Sequence, residues 1–200
     1  MGQMALNGTK TLEWGHVLLL VCAVLYLAWW CIFFRPNVHV AAGPLRIIGI
    51  ACILVAAAAG ITGVVMICRG IGALTPAAGG IGVWPFVIGG IVTYVLLAVI
   101  TSQLMHRPIT TELLLIVMWI ALELCTVTML RGAGAWTGIG GAVTAATAIA
   151  LIVVLIVLLI ADMVCYVLYY QLPPMAGFID GMMPLTAVAI FSGVLVATLH

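Results

Sequence analysis

Two carboxylates stand where a lipid bilayer tolerates them least. Glu123 lies within the apolar run at about 110–130, and Asp162 within the run at about 142–170. An ionised carboxylate near the bilayer centre costs at least about 2.5 kcal/mol even on permissive insertion scales. An acid kept at that depth serves either as a station for a proton, ion or polar solute, or as a hydrogen-bonding tie between helices. Glu112, Trp119, Glu123 and Thr126 are separated by seven, four and three positions, so all four share one helix face. The other faces of that run carry Leu, Ile, Val and Met, which suit lipid. A ridge of indole, carboxyl and hydroxyl is therefore expected to turn inward, where it would line a path or knit a bundle.

Asp162 has Tyr166 and Tyr169 on its own face, at i+4 and i+7. By helical rise the two carboxylates should differ in depth by about 13 Å, too far to share one proton. They read as two stations along a path or as two separate structural contacts. The expected polar lining is thus Glu123, Trp119, Thr126, Asp162, Tyr166 and Glu112.

Other chemistries find little support. The four histidines, His16, His39, His106 and His200, are expected at helix ends or in connectors, so none pairs to hold a haem within the bilayer. Neither H-E-x-x-H nor G-x-S-x-G occurs, and Ser102 and Ser192 are the only serines. The glycine-rich segments lack the Lys-Ser/Thr of a phosphate loop and read as connectors. No catalytic residue, metal site or cofactor is expected, and an enzyme acting on lipid ranks behind the non-enzymatic readings.

These residues need elements to hold them. Of 200 residues, 66% are hydrophobic and 6% charged, against about 25% charged in soluble domains. So few charges cannot hydrate the surface of a chain this size, and its main partner must be the lipid bilayer. A net charge of +1 argues against nucleic acid. The six cysteines fall mostly within apolar runs without C-x-x-C spacing, and read as small packing residues.

A bilayer core about 30 Å thick requires about 20 apolar residues in helix. Six runs qualify, at about 16–34, 45–68, 83–105, 110–130, 142–170 and 181–199. Each should be helical, because lipid offers backbone groups no hydrogen-bond partner. The fold class is an all-α polytopic membrane protein: a single transmembrane domain over 1–200, with six transmembrane helices arranged as three tandem two-helix hairpins. The hairpin units span about 16–69, 83–131 and 142–200. Prolines close the odd helices, at Arg35-Pro36, Arg107-Pro108 and Pro173-Pro174. Arg69-Gly70 and Arg131-Gly132 are expected to close helices 2 and 4. Lys10, Arg69 and Arg131 should face one side of the membrane, and Arg35, Arg46 and Arg107 the other. Positive charge therefore leaves the orientation open. Gly49, Cys52, Ala56, Gly60 and Gly63 form a small-residue stripe for close packing in helix 2. Tyr26, Trp29, Trp30 and Phe33 read as an interfacial belt.

Two functions fit. One is a channel or transporter for a small solute, its path inside the helix bundle. The other is a non-catalytic subunit or scaffold of a larger membrane complex. About 200 residues, three tandem hairpins and the first-helix stretch LLLVCAVLYLAW (18–29) together resemble the bacterial urea and short-chain amide channels. Trp29-Trp30 stand where that family usually has Asn-Gly. The resemblance implies a homo-oligomer with one aromatic-lined pore per subunit, and a bacterial-type cytoplasmic (inner) membrane is the expected location.

Overall fold

The computed structural model describes residues 3–36, 43–79, 82–103, 111–134, 145–169 and 171–199. Side chains are described from Leu6, Leu113 and Ala146 onward in the first, fourth and fifth helices. The secondary structure is all helical: α1 (Gln3–Phe33), α2 (Pro44–Leu74), α3 (Trp84–Gln103), α4 (Thr111–Gly132), α5 (Ala145–Leu168), α6 (Pro174–Asp180) and α7 (Met183–Leu199). Six of the segments are long and apolar enough to cross a membrane, α6 and α7 together making the sixth. The outer faces carry large apolar side chains such as Ile61 (69% exposed) and Leu115 (68% exposed), as lipid requires and water would penalise.

Three boundaries differ from expectation. The first helix begins at Gln3 rather than near 16. Leu12, Gly15, His16, Leu19 and Ala23 are all buried, at helical spacing, so packing carries α1 back through a stretch that reads as polar. The second helix runs through Arg69-Gly70 to Leu74. Gly70 is not a cap there: a Cβ on it would meet Leu12 Cγ at 2.6 Å and the Gly8 carbonyl oxygen at 3.0 Å. Its function is close approach, and the same dipeptide closes α4 as expected. The last span is broken at Gly181-Met182. Pro184 has no amide to offer the Asp180 carbonyl, so the ladder of α6 cannot continue into α7.

α1 and α2 form an antiparallel pair along their length. Gly8 faces Ala73 and Leu74, Gly15 faces Gly63 and Ile67, Cys22 faces Gly60, and Phe33 faces Gly49. At the centre, a Cβ on Gly63 would stand 2.9 Å from the Gly15 carbonyl oxygen, a contact that only glycine at this position permits. The small-residue stripe of helix 2 thus packs as expected.

The other helices fall into two groups. α7 packs chiefly along α1, which also carries α2. α4 packs between α3 and α5. Between the groups lie lesser contacts of α2 with α4 and of α5 with α6 and α7. In space, then, α7 belongs with the first two helices more than with α5. A seam separates the α1/α2/α7 group from the α3/α4/α5 group. Ala78, just past α2, packs against Gly132, where an added Cβ would stand 3.1 Å from the Ala78 methyl. The ends of α2 and α4 therefore share one face of the protein.

Candidate functional site

Glu123 is fully buried, as the inward ridge requires. Its Oε2 lies 3.1 Å from Nε2 of His16 on α1, and its Oε1 accepts a hydrogen bond from the Trp119 indole at 3.1 Å. His16 is also fully buried, with Nδ1 2.7 Å from the Leu12 carbonyl oxygen. That carbonyl can only accept, so Nδ1 carries a hydrogen. A second proton must then lie between Nε2 and Oε2, because otherwise two lone pairs would face each other in a dry interior. On the ring it makes an imidazolium–carboxylate pair; on the carboxyl it makes two neutral groups. Either way the pair is neutral overall and holds one transferable proton.

The expectation that every histidine lies at a helix end or connector is corrected at His16, which is well inside α1. The error follows from starting helix 1 about four turns late. Leu12, His16, Leu19 and Ala23 recur at helical spacing, the signal in the sequence that would have placed His16 within the helix. His39, His106 and His200 lie outside the described residues.

The predicted ridge of α4 is only partly a unit. Trp119 serves Glu123 and sets its ring edge-on to Phe191 of α7, with centroids 6.0 Å apart. Thr126 is buried, but its hydroxyl donates to the Leu122 carbonyl one turn back. Glu112 belongs to the first turn of α4, and its side chain lies outside the described residues. His16–Glu123 and Trp119–Phe191 both cross the seam between the helix groups.

A second polar locus lies on α5. Asp162 is 2% exposed, and its Oδ2 has no hydrogen-bond partner among the described residues. Tyr166, one turn on, packs with Ala98, Leu113 and Val117, toward α3 and α4 rather than toward Glu123. Cys165 lies within electrostatic reach of both Asp162 and Asp180 of α6. Asp180 also has a buried oxygen, Oδ2, without a hydrogen-bond partner among the described residues. Asp180 was not expected in the site, because the sequence places it in a connector ahead of the last span.

A cleft of about 260 Å³ is lined by Trp30, Phe34, Tyr169, Leu172 and Phe178 among others. Trp30 stacks on Phe34 at 4.2 Å and donates its indole N–H to the Phe178 carbonyl at 3.1 Å. The belt expected at the end of helix 1 is therefore partly the wall of a cleft. Among the described residues, no group of three or more His, Cys, Asp or Glu side chains could hold a metal ion.

Comparison with known protein families, with curated proteins and with solved structures finds no match for this chain.

Proposed function

We propose that this multi-pass membrane protein is a transporter for a small solute, its path following the seam between the α1/α2/α7 and α3/α4/α5 groups. One observation carries the reading: the buried His16–Glu123 pair, which joins the two groups and holds one transferable proton. Hydrogen bonds between transmembrane helices contribute only about 0.6 kcal/mol on average. A carboxylate left unpaired at such depth costs several times more. Such a tie is weak enough to open and is favoured to open only when its charge is managed. A proton or a solute can thus bias the two groups between arrangements, as rocking transporters require.

The rival reading, a non-catalytic subunit or scaffold, draws on the completeness of the same contacts. Both Glu123 oxygens and both His16 nitrogens have partners. A static tie would look the same.

Stopped-flow swelling of proteoliposomes against a panel of small neutral and charged solutes separates the two. Transport predicts that the protein speeds entry of at least one solute over empty liposomes, and that Glu123→Gln changes that rate or its pH dependence. No accelerated solute, with Glu123→Gln lowering only thermal stability, would establish the scaffold. The aromatic cleft also fits passage of small solutes, and assembly as a homo-oligomer is what the resemblance to amide channels implies.

A further inference from the structure

Asp162 differs from Glu123 in having no answering group. Glu123 has a partner for each oxygen, whereas Asp162 is 2% exposed and its Oδ2 meets no hydrogen-bond donor among the described residues. Its surroundings are apolar. Leu155 and Tyr166, seven residues before and four after, are buried on the same helix face, and Leu158 and Leu159 between them pack against the core. Tyr166 joins Ala98 of α3 with Leu113 and Val117 of α4 in one cluster.

The charge that could face this carboxyl can be followed element by element. α5 packs chiefly on α4, and less on α7 and α6. Neither α5, α6 nor α7 contains a lysine, arginine or histidine. α4 contributes two further acids, Glu112 and Glu123, and one cation, Arg131. Arg131 stands fourteen residues beyond Val117, about 21 Å along the helix from the level at which Tyr166 packs. The other titratable groups on or beside α5 are Cys165, Asp180 and the phenols Tyr94, Tyr166 and Tyr169, none of which is a cation. Among the described residues the ion pair present is His16–Glu123.

An ionised carboxylate in this place is cut off from solvent and has no counter-charge. A hard metal ion is a poor answer, because it prefers six or more oxygen ligands and one carboxyl supplies two. A proton removes the charge outright. We infer that Asp162 is a proton-binding site: its carboxyl is un-ionised at neutral pH and stores one proton within the membrane, separate from the proton shared by His16 and Glu123. Exchange of that proton requires water to reach α5 at this level. The inference goes beyond the transport reading and does not depend on it. Within that reading it adds a second station at which solute movement can be linked to a proton.

Infrared spectroscopy of the full-length protein in an ester-free maltoside detergent is the test. An un-ionised carboxyl absorbs as a carbonyl, well separated from the carboxylate bands, and deuterium exchange lowers its frequency. Such a band should be present at neutral pH, absent in Asp162→Asn and retained in Glu123→Gln. Asp162→Asn should keep the melting temperature, because an amide reproduces the neutral acid in size and charge. A hydrophobic carbodiimide gives a second readout on the unaltered chain, which serves even where the variant fails to fold. The reagent takes the carboxyl proton on one nitrogen, bonds the carboxyl oxygen at its central carbon, and rearranges to a stable acylurea as the acyl group moves to nitrogen. Peptide mass mapping should find acylurea on Asp162 at neutral pH, with labelling falling at least tenfold when alkali removes the proton. A carboxyl band of Asp162 that appears only in acid would overturn the inference, by showing an ordinary carboxylate. Labelling blocked by sodium at constant pH would also overturn it, by assigning the oxygens to a metal ion. Flux plays no part in either readout, so failure here leaves the transport reading standing, and failure of transport leaves Asp162 its proton.

Discussion

His16 and Glu123, 107 positions apart in sequence, meet at 3.1 Å with both side chains fully enclosed. The contact joins the second turn of the buried stripe of α1 to the middle of α4, and the chain offers Glu123 one further donor, the Trp119 indole. Its energetics are asymmetric. The intact pair adds little stability, but either partner alone leaves a buried polar group without its match.

A double-mutant cycle should show that asymmetry. His16→Leu should destabilise the protein by about 3–5 kcal/mol, the usual cost of orphaning a buried charge partner. Glu123→Gln should cost less, because an amide still bonds to the indole and the ring. The double change His16→Leu with Glu123→Leu should recover much of the single loss. Reversible unfolding in mixed micelles measures all three. With Glu123→Leu alone completing the cycle, a double loss equal to the sum of the two single losses would show that the pair is not coupled.

Close packing of α1 on α2 depends on glycine at its narrowest point. Gly63→Val should destabilise by about 1–3 kcal/mol, because its Cβ would press on the Gly15 backbone rather than on a movable side chain. Gly193→Ala should be neutral or slightly stabilising, since nothing lies within 4 Å of its added Cβ and alanine favours helix. Thermal unfolding of the two variants in the same lipid gives the comparison. A neutral Gly63→Val would mean that the helices are farther apart.

Thr126→Val should leave solute flux within about twofold of wild type and cost under about 1.5 kcal/mol, the range of one ordinary hydrogen bond. The reason is local: the hydroxyl is spent on the carbonyl of Leu122. Proteoliposome swelling run beside Glu123→Gln checks it. A Thr126→Val effect as large as that of Glu123→Gln would return Thr126 to the path.

Membrane sidedness follows from the pairing of helix ends. The N-terminal part of α1 lies beside the C-terminal part of α2, and Ala78 beside Gly132. An impermeant acylating reagent on Lys10 and an impermeant maleimide on Ala77→Cys should therefore react from the same side of oriented vesicles. A cysteine at Arg131 should join them. Reaction from opposite sides would contradict the antiparallel pairing of α1 and α2.

Much of the fold was legible in the residues. Long apolar runs must be helical in lipid, because no other open structure satisfies every backbone group there, so six spans follow from run length and charge alone. Burial of Glu123 and Asp162 was legible for the same reason. An acid at that depth cannot face acyl chains. Boundaries were harder to read. The polar start of α1 and the Arg-Gly of α2 look like ends by composition, yet both are helical because each lies against the other helix.

Only the tertiary structure chose partners. Helical periodicity places Trp119 and Glu123 on one face, but which helix meets that face is a long-range packing outcome. His16 therefore stayed hidden as the third member. Asp180 was obscured likewise, because Pro184 cuts the last span into α6 and α7 and the sequence leaves the shorter piece looking like a loop. Sequence determined what must be withdrawn from lipid, since that depends on each residue's own transfer cost. Tertiary structure decided what meets what, since that depends on shape complementarity between segments far apart in the chain.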